Sequence, residues 1–390
     1  MRSGSPVDSS RRESRVIGIS SGVVDLRRAR SGLDGIGTYT QALLAHVEGQ
    51  GLAVKRVDTP HVSGRGLTLP WQADIRLAIP LPIALALGAV AHVRTPGCSR
   101  LERAVDIYHS TDYMVPRLRR TPVVATVYDA IPLVHPQWAN QRLRRFKNWL
   151  LTQSVRNADR VIAISESGRE EVVSSYGIRA ERTRVIPLGI DGEWFESVDE
   201  RAMQGTLVRR KLEPGYFLFV GTLQPRKNVE ALLDAYEALP QAIRRKRQLV
   251  VVGKYGWNAE ILRQRLEDAR PQNRCVWLDY VPREELYQLY AGAGTFVFPS
   301  FAEGFGLPIL EALAKGLPII ASDLPVLRDL GAHLAVYVDA HDTKALTDAM
   351  ATTAQASVDE AERAKRRAHA MPYTWRACAE RTVGVYRELW

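Results

Sequence analysis

The sequence predicts an α/β protein made of two doubly wound parallel sheets that face each other across a ligand cleft. Three observations predict this. The chain has 390 residues, and at roughly 100–200 residues per domain that length suits two domains, each able to bury its own core. The strand-like segments are continuous apolar runs rather than strict alternators, as expected of parallel strands covered by helices on both faces. These runs alternate with helical patterns in two successive series, and regular strand signals lapse between Ile190 and Tyr216. In such folds a ligand lies beyond the C-terminal ends of the strands.

The first series opens after a loose Ser/Arg-rich stretch, residues 1–14, with RVIGIS at Arg15–Ser20. A loop rich in Gly, Ser and Arg leads to an amphipathic helix from Thr38 with a glycine stop. DIYHST (Asp106–Thr111), PVVATVYD (Pro122–Asp129), DRVIAIS (Asp159–Ser165) and TRVIPLGID (Thr183–Asp191) follow as strands. The most apolar run, Leu77–Ala91, falls short of the roughly 20 residues a bilayer span needs. It reads as a buried helix after a proline turn, with contact to a membrane surface as the other reading. Arg142–Ala158 is predicted as a helix with a basic face, and SESGREEVVSSYG as a helix between a serine cap and a glycine stop.

The second series starts with YFLFVG near Tyr216 and continues through QLVVVG, RCVWLDYV, TFVFPS, LPIIASD and AVYVD. The expected organisation is a first domain at 15–200, a second at 209–375, and a closing helix at 376–390 that can cross back to the first.

Composition narrows the function classes. Apolar residues make up 46% and charged residues 25%, an ordinary globular balance that argues against disorder or a disulfide scaffold. Lys and Arg outnumber Asp and Glu by 53 to 43, a net charge of +10 that favours an anionic partner. The three cysteines are far apart and form no CxxC pair, which speaks against a structural zinc site and suits a reducing compartment. The chain has no Walker loop, GxGxxG, HExxH or Asp-x-Asp pattern. Gly18–Gly22 matches GxSxG, but a nucleophile elbow needs a helix directly after the serine, and the residues that follow read as loop. No nucleic-acid-binding signature accompanies the positive charge.

Three segments carry chemistry. In FPSFAEGFGLPILEALAKG, from Phe298 to Gly316, a strand ends at Pro299, a loop holds Gly304 and Gly306, and Pro308 can start a helix. Glycine backbone approaches a ligand closely, and a helix N-terminus offers free N–H groups to an anion. Glu303 and Glu311 place two carboxylates where they can accept hydrogen bonds from sugar hydroxyls. In VGTLQPRKN, Gly221 ends a strand and Arg226 and Lys227 precede a helix, which sets two cations where a diphosphate could be held without magnesium. The Gly35-Ile36-Gly37-Thr38 turn after the first strand is a weaker phosphate signal of the same kind.

Taken together, EGFGLPILEA, GTLQPRKN, GKYGW, the Gly35–Gly37 loop and VIPLGID resemble glycosyltransferase family 4, retaining sugar-nucleotide enzymes of the GT-B fold. The resemblance extends from about Val16 to Trp375. It is nearest to mannosyltransferase-type members that build bacterial surface polysaccharides. It implies a nucleoside diphosphate sugar such as GDP-mannose as donor, a glycan or polyprenyl-diphosphate-linked acceptor, and no cofactor or metal. Glu311 would bind the donor ribose and Glu303 the hexose. Gly304, Phe305, Gly306 and Leu307 would bring backbone N–H groups to the sugar and phosphates. Arg226 and Lys227 would neutralise the departing diphosphate beside Gly221, while Gly35 and Gly37 approach from the other domain.

Where the family often has a His-Asp pair, this chain has Tyr128-Asp129. Tyrosine cannot carry a proton near neutral pH as histidine does, so Tyr128 and Asp129 are candidate acceptor-side residues, and the nearby His109 reads either as a further cleft residue or as a structural histidine. A sugar-nucleotide epimerase and a non-catalytic scaffold on the same fold are the alternatives. Basic clusters in the first half read either as a solvated surface or as a patch that attracts anionic lipid; the second reading implies a cytoplasmic protein peripheral to the inner face of the membrane.

Overall fold

The computed structural model describes residues 15–20, 35–58, 73–91, 93–138, 143–256, 260–269, 274–357 and 359–390. The expected loose N-terminus at 1–14 and the loop at 21–34 lie outside the described residues.

The described strands form two fully parallel sheets. The first contains β1 (Val16–Ser20), β2 (Ala53–Asp58), β3 (Ile75–Arg76), β4 (Ile107–Ser110), β5 (Val123–Val127), β6 (Arg160–Ala163) and β7 (Thr183–Val185). Their order across the sheet is β3-β2-β1-β4-β5-β6-β7. The second contains β8 (Tyr216–Val220), β9 (Leu249–Val252), β10 (Cys275–Leu278), β11 (Ala293–Phe298), β12 (Ile319–Ser322) and β13 (Ala335–Val338), in the order β10-β9-β8-β11-β12-β13. Each sheet reverses its winding once, between β1 and β4 and between β8 and β11. Loops that leave neighbouring strands at such a reversal diverge and open a crevice, the usual ligand position in open parallel sheets.

The central strands are buried on both faces, as their apolar runs anticipate. Phe217, Phe219, Phe296 and Phe298 on adjacent β8 and β11 are all fully buried, and Phe298 stacks on both Phe219 and Phe296 with ring centroids about 6 Å apart.

Several sequence expectations need correction. β2 was absent from the apolar-run reading because its AVKRVD segment carries Lys55 and Arg56 and is mostly half-buried. β3 is only a two-residue strand at the sheet edge, too short for any periodicity to reveal. The helix expected from Thr38 begins at Gly35, so Gly35 and Gly37 form its first turn rather than a loop before it. The apolar run at Leu77–Ala91 does form a helix, Leu81–Val90, but only one face is buried; Ile83, Leu87 and Val90 point outward.

The last helix, Trp375–Arg387, packs against the Gly35–Glu48 helix of the first unit. The Thr374 hydroxyl caps it by accepting from the Ala377 N–H at 3.1 Å. The outgoing and returning segments meet where the Ile190 N–H donates to the Tyr373 carbonyl at 2.9 Å. A Cβ on Gly189 would lie 2.2 Å from the Thr374 carbonyl carbon, so only glycine permits this crossing.

His109 belongs to this crossover and not to the cleft surface. It is fully buried. Its Nδ1 pairs with the Tyr386 hydroxyl at 2.7 Å and its Nε2 with the Thr126 hydroxyl at 2.9 Å. Burial pushes its pKa down to about 3, so the ring is neutral at physiological pH. Replacing Tyr386 with phenylalanine leaves one buried imidazole nitrogen unpaired, and we expect a stability loss of about 1–3 kcal/mol, read as a lower urea midpoint. An unchanged midpoint would mean that the crossover does not depend on this bond.

Candidate functional site

The loops after β8 and β11, adjacent strands at the reversal of the second sheet, carry the principal cluster. After β8 the chain turns through a single 3₁₀ turn, Pro225–Lys227, and then Asn228 in the left-handed region at φ 54°. The Asn228 side-chain amide donates to the Ala340 carbonyl at 2.8 Å, which fixes that turn. The next helix, Val229–Ala238, leads away from the cluster. The two loops are bound together through backbone: the Phe301 N–H donates to the Arg226 carbonyl at 2.8 Å, and Arg226 Nη1 donates to the Ala302 carbonyl at 2.9 Å.

Glu303 accepts from both cations. Lys227 Nζ is 2.5 Å from Oε1 and Arg226 Nη1 is 3.0 Å from Oε2. The Lys227 ammonium also lies 4.8 Å from the centroid of the Phe298 ring. Burial alone would raise the Glu303 pKa, but Lys227 and Arg226 outweigh it and hold the carboxyl at about 2. Burial lowers Lys227 to about 8, which leaves it charged at neutral pH. The cluster is therefore one carboxylate and two cations with a net positive charge, sheltered from water.

Gly306 precedes the helix Leu307–Ala314 at φ 114°, where a side chain is strained, and a Cβ there would sit 3.0 Å from Leu327. Pro308 occupies the first turn of that helix, as expected. Phe305 is buried and anchors the loop. Glu311 lies one turn further on and is fixed by Tyr290, whose hydroxyl donates to Oε2 at 2.8 Å. Burial raises the Glu311 pKa to about 7, against the effect of the Tyr290 bond. Gly221 directly follows β8, and the Gly253 α-carbon packs so tightly on its carbonyl that a Cβ on Gly253 would fall 1.8 Å from the oxygen.

The first unit meets this cluster through the loop after β5. A Cβ on Gly304 would stand 2.8 Å from the Tyr128 carbonyl oxygen and 3.1 Å from the Asp129 Cβ, so glycine allows the two loops to touch. The Asp129 carboxylate accepts from the Tyr113 hydroxyl at 3.0 Å and from the Ile131 N–H at 3.1 Å. Burial raises its pKa, while Tyr113 and the Arg226 charge across the cleft act in the opposite direction. Trp138 from the first unit stacks on Phe301 with centroids 6.0 Å apart and ring planes at 11°. The Ser167 N–H donates to Asp329 at 3.2 Å, a hydrogen bond between the two units.

The structure brings Glu303, Arg226, Lys227, Gly304 and Asp129 together. Tyr128 contributes its backbone to that contact, but its hydroxyl donates to the Thr111 carbonyl at 2.8 Å and its ring is buried. The side chain proposed for acceptor contact is thus a strut beneath the cleft. Gly35 and Gly37 sit at a helix start on the β1 side of the first sheet. Tyr290, Tyr113, Trp138 and Phe301 were not anticipated; each acts through a partner more than ten positions away in sequence, and no local pattern signals that. Among the described residues no group of three or more His, Cys, Asp or Glu side chains is placed to hold a metal ion.

Two family models match the chain: "Glycosyltransferase Family 4" over residues 33–194 and "Glycosyl transferases group 1" over residues 208–371. The O-antigen chain mannosyltransferase B of Escherichia coli is 29% identical over 310 residues, which cover 79% of this chain and 81% of that protein. Among solved structures, sucrose-phosphate synthase from Thermosynechococcus elongatus superposes with a TM-score of 0.72 at 20% identity, covering 96% of this chain and 99% of that one. Anabaena Alr3699/HepE in complex with UDP and glucose gives a TM-score of 0.68 at 16% identity, covering 96% and 100%.

The opposite shifts of the two glutamates predict opposite pH behaviour. Glu303, held below its ordinary value of 4.5, contributes stability that is present above about 4.5 and lost as pH falls through about 2. Glu311, raised above 4.5, contributes stability that is full below about 4.5 and lost as pH rises through about 7. Glu311→Gln removes the second effect. We expect its melting temperature to gain on the wild type between pH 5 and 8; parallel curves would contradict the raised pKa.

Proposed function

We propose that this chain, which belongs to glycosyltransferase family 4 and is a hexosyltransferase of the GT-B fold, acts in surface polysaccharide synthesis by transferring mannose from GDP-mannose, with retained configuration and without a metal, to a glycan carried on polyprenyl diphosphate. The observation that carries this reading is the Glu303–Arg226–Lys227 cluster at the reversal of the second sheet, facing Asp129 across the cleft. The mannose assignment draws on the similarity to an O-antigen mannosyltransferase.

In this mechanism the bond between the sugar C1 and the diphosphate oxygen breaks, and negative charge develops on the diphosphate. Arg226 and Lys227 are positioned to take up that charge together with the N–H groups at the start of the Leu307–Ala314 helix. Before the donor arrives, Glu303 acts as their counter-ion and holds them in place. On donor binding the cations turn to the phosphates, and the Glu303 carboxylate is left to accept hydrogen bonds from the hexose hydroxyls. Glu311 accepts from the ribose hydroxyls. The acceptor oxygen bonds to C1 on the face the diphosphate leaves, through an oxocarbenium-like state, and its proton passes to the departing diphosphate. The charge that a metal would neutralise is met by the two side chains, so none is needed.

The acceptor approaches along the first unit, where Asp129 lies next to the Gly304 backbone. A lipid-linked acceptor places the enzyme at the inner face of the cytoplasmic membrane. Among the described residues no helix is long and apolar enough to cross a bilayer, and the association proposed is peripheral.

Three measurements test this reading. Arg226→Met should lower kcat by about 10²–10³-fold, because a donor aimed at developing charge is lost; a normal kcat would remove Arg226 from the mechanism. Turnover of GDP-mannose should persist in excess EDTA, and strict dependence on added magnesium or manganese would refute the metal-free assignment. The product anomer read by NMR should match that of the donor, and inversion would overturn the same-face reaction.

A further inference from the structure

We infer that Trp138 is a positioning residue for the transfer step: stacked on Phe301 from the other unit, it seats the loop that carries Glu303 and keeps Arg226 aimed at the departing diphosphate. The inference rests on the proposed function and deepens it, because a side chain of the first unit then completes the donor site of the second.

The chain reaches Trp138 directly from the cleft. Past β5, the Asp129 carboxylate accepts from the Ile131 N–H, which opens the short helix Ile131–Val134. Asn148 holds that helix through its side-chain amide, which donates to the Pro132 carbonyl at 2.9 Å. The single 3₁₀ turn Pro136–Trp138 follows, and the Trp138 N–H donates to the His135 carbonyl at 3.0 Å. The turn brings the Trp138 ring 4.5 Å from the His135 ring and 6.0 Å from the Phe301 ring of the second unit, the latter pair inclined by only 11°. Phe301 in turn lies 4.8 Å from the ring of His341. The His135, Trp138, Phe301 and His341 rings therefore form a continuous pile that runs from one unit to the other.

The far end of this pile rests on the backbone that sets the triad. The Phe301 N–H makes the bond to the Arg226 carbonyl, and the next carbonyl, that of Ala302, accepts from the Arg226 guanidinium. His341 follows Ala340, whose carbonyl accepts from Asn228, the neighbour of Lys227. Phe301 is only half-buried, so the core of the second unit does not fix its ring, and Trp138 supplies the missing contact. A displaced Phe301 shifts the peptide groups that hold Arg226 and Glu303. Stabilisation of developing charge depends on donors that are already aimed, and a misplacement of about 1 Å can cost on the order of 10²-fold in rate. Aromatic faces also suit a sugar ring, but Trp138 is already engaged by both His135 and Phe301, which favours positioning over acceptor binding.

The test compares Trp138→Ala and Trp138→Phe by steady-state kinetics, and by amide hydrogen exchange of the full chain without donor. Trp138→Ala should speed exchange in the segment 300–304, which contains the Phe301 N–H, and leave the His109–Tyr386 crossing unchanged. It should lower kcat about tenfold or more while the acceptor KM stays within about threefold. Trp138→Phe keeps a stacking ring and should recover both exchange and kcat. In an Arg226→Met background, Trp138→Ala should cost far less in kcat than it does alone, because it acts through Arg226. Unchanged exchange in 300–304, an unchanged kcat, or an equal loss of kcat in both backgrounds would overturn the inference. So would a raised acceptor KM at normal kcat, which would instead make Trp138 a direct contact for an acceptor sugar. A chain that shows the exchange response and its rescue but transfers no mannose to a lipid-linked glycan would keep the seating of the loop and remove the donor or acceptor assignment.

Discussion

The rest of the site depends on the ion triad of Glu303, Arg226 and Lys227. Two cations and one carboxylate out of water are costly to desolvate, and a buried group of this kind is a poor source of stability compared with apolar side chains of similar volume. Its contribution is position. Glu303 fixes both cations with contacts of 3.0 Å or less, and the two loops that carry them are tied through the Phe301–Arg226 backbone bond. The net positive charge of the triad favours an anion, and in the proposed mechanism the carboxylate holds both cations in place until the diphosphate arrives.

The fold supplies the setting for the triad. β8 and β11 are neighbours at the one reversal of the second sheet, so the Arg226 and Glu303 loops diverge over a common crevice. The crossing helix Trp375–Arg387 pins the first unit against the second through the His109–Tyr386 pair and the Gly189–Thr374 contact. That pairing brings Tyr128 and Asp129 onto Gly304. A side chain at position 304 would hold the loops apart, which explains a glycine directly after the carboxylate that does the holding.

Much of this was legible in the sequence, for physical reasons that differ from element to element. The buried parallel strands announce themselves because both faces are apolar, so YFLFV and AGTFVF need no partner to be recognised. The Glu303 and Arg226–Lys227 segments were legible because glycine, proline and charge recur at short spacing around a strand end. β2 was hidden by the charges it carries near the sheet edge. The role of Tyr128 was hidden, and that of His109 left open between cleft and core, because their partners, the Thr111 carbonyl and Tyr386, are set by chain crossings rather than by neighbours in sequence. Likewise, the pairing of Glu303 with both cations could not be read from segments 76 positions apart, and sequence alone divided sugar and phosphate duties among residues that in fact share one cluster.

The most direct measurement of the central claim is a crystal structure of the protein with a bound nucleoside diphosphate. The account predicts the diphosphate at the start of the Leu307–Ala314 helix, within hydrogen-bond distance of the Arg226 guanidinium and the Lys227 ammonium. It also predicts that the Glu303 carboxylate no longer holds both cations. A diphosphate bound outside the crevice between the sheets, with the triad undisturbed, would contradict it.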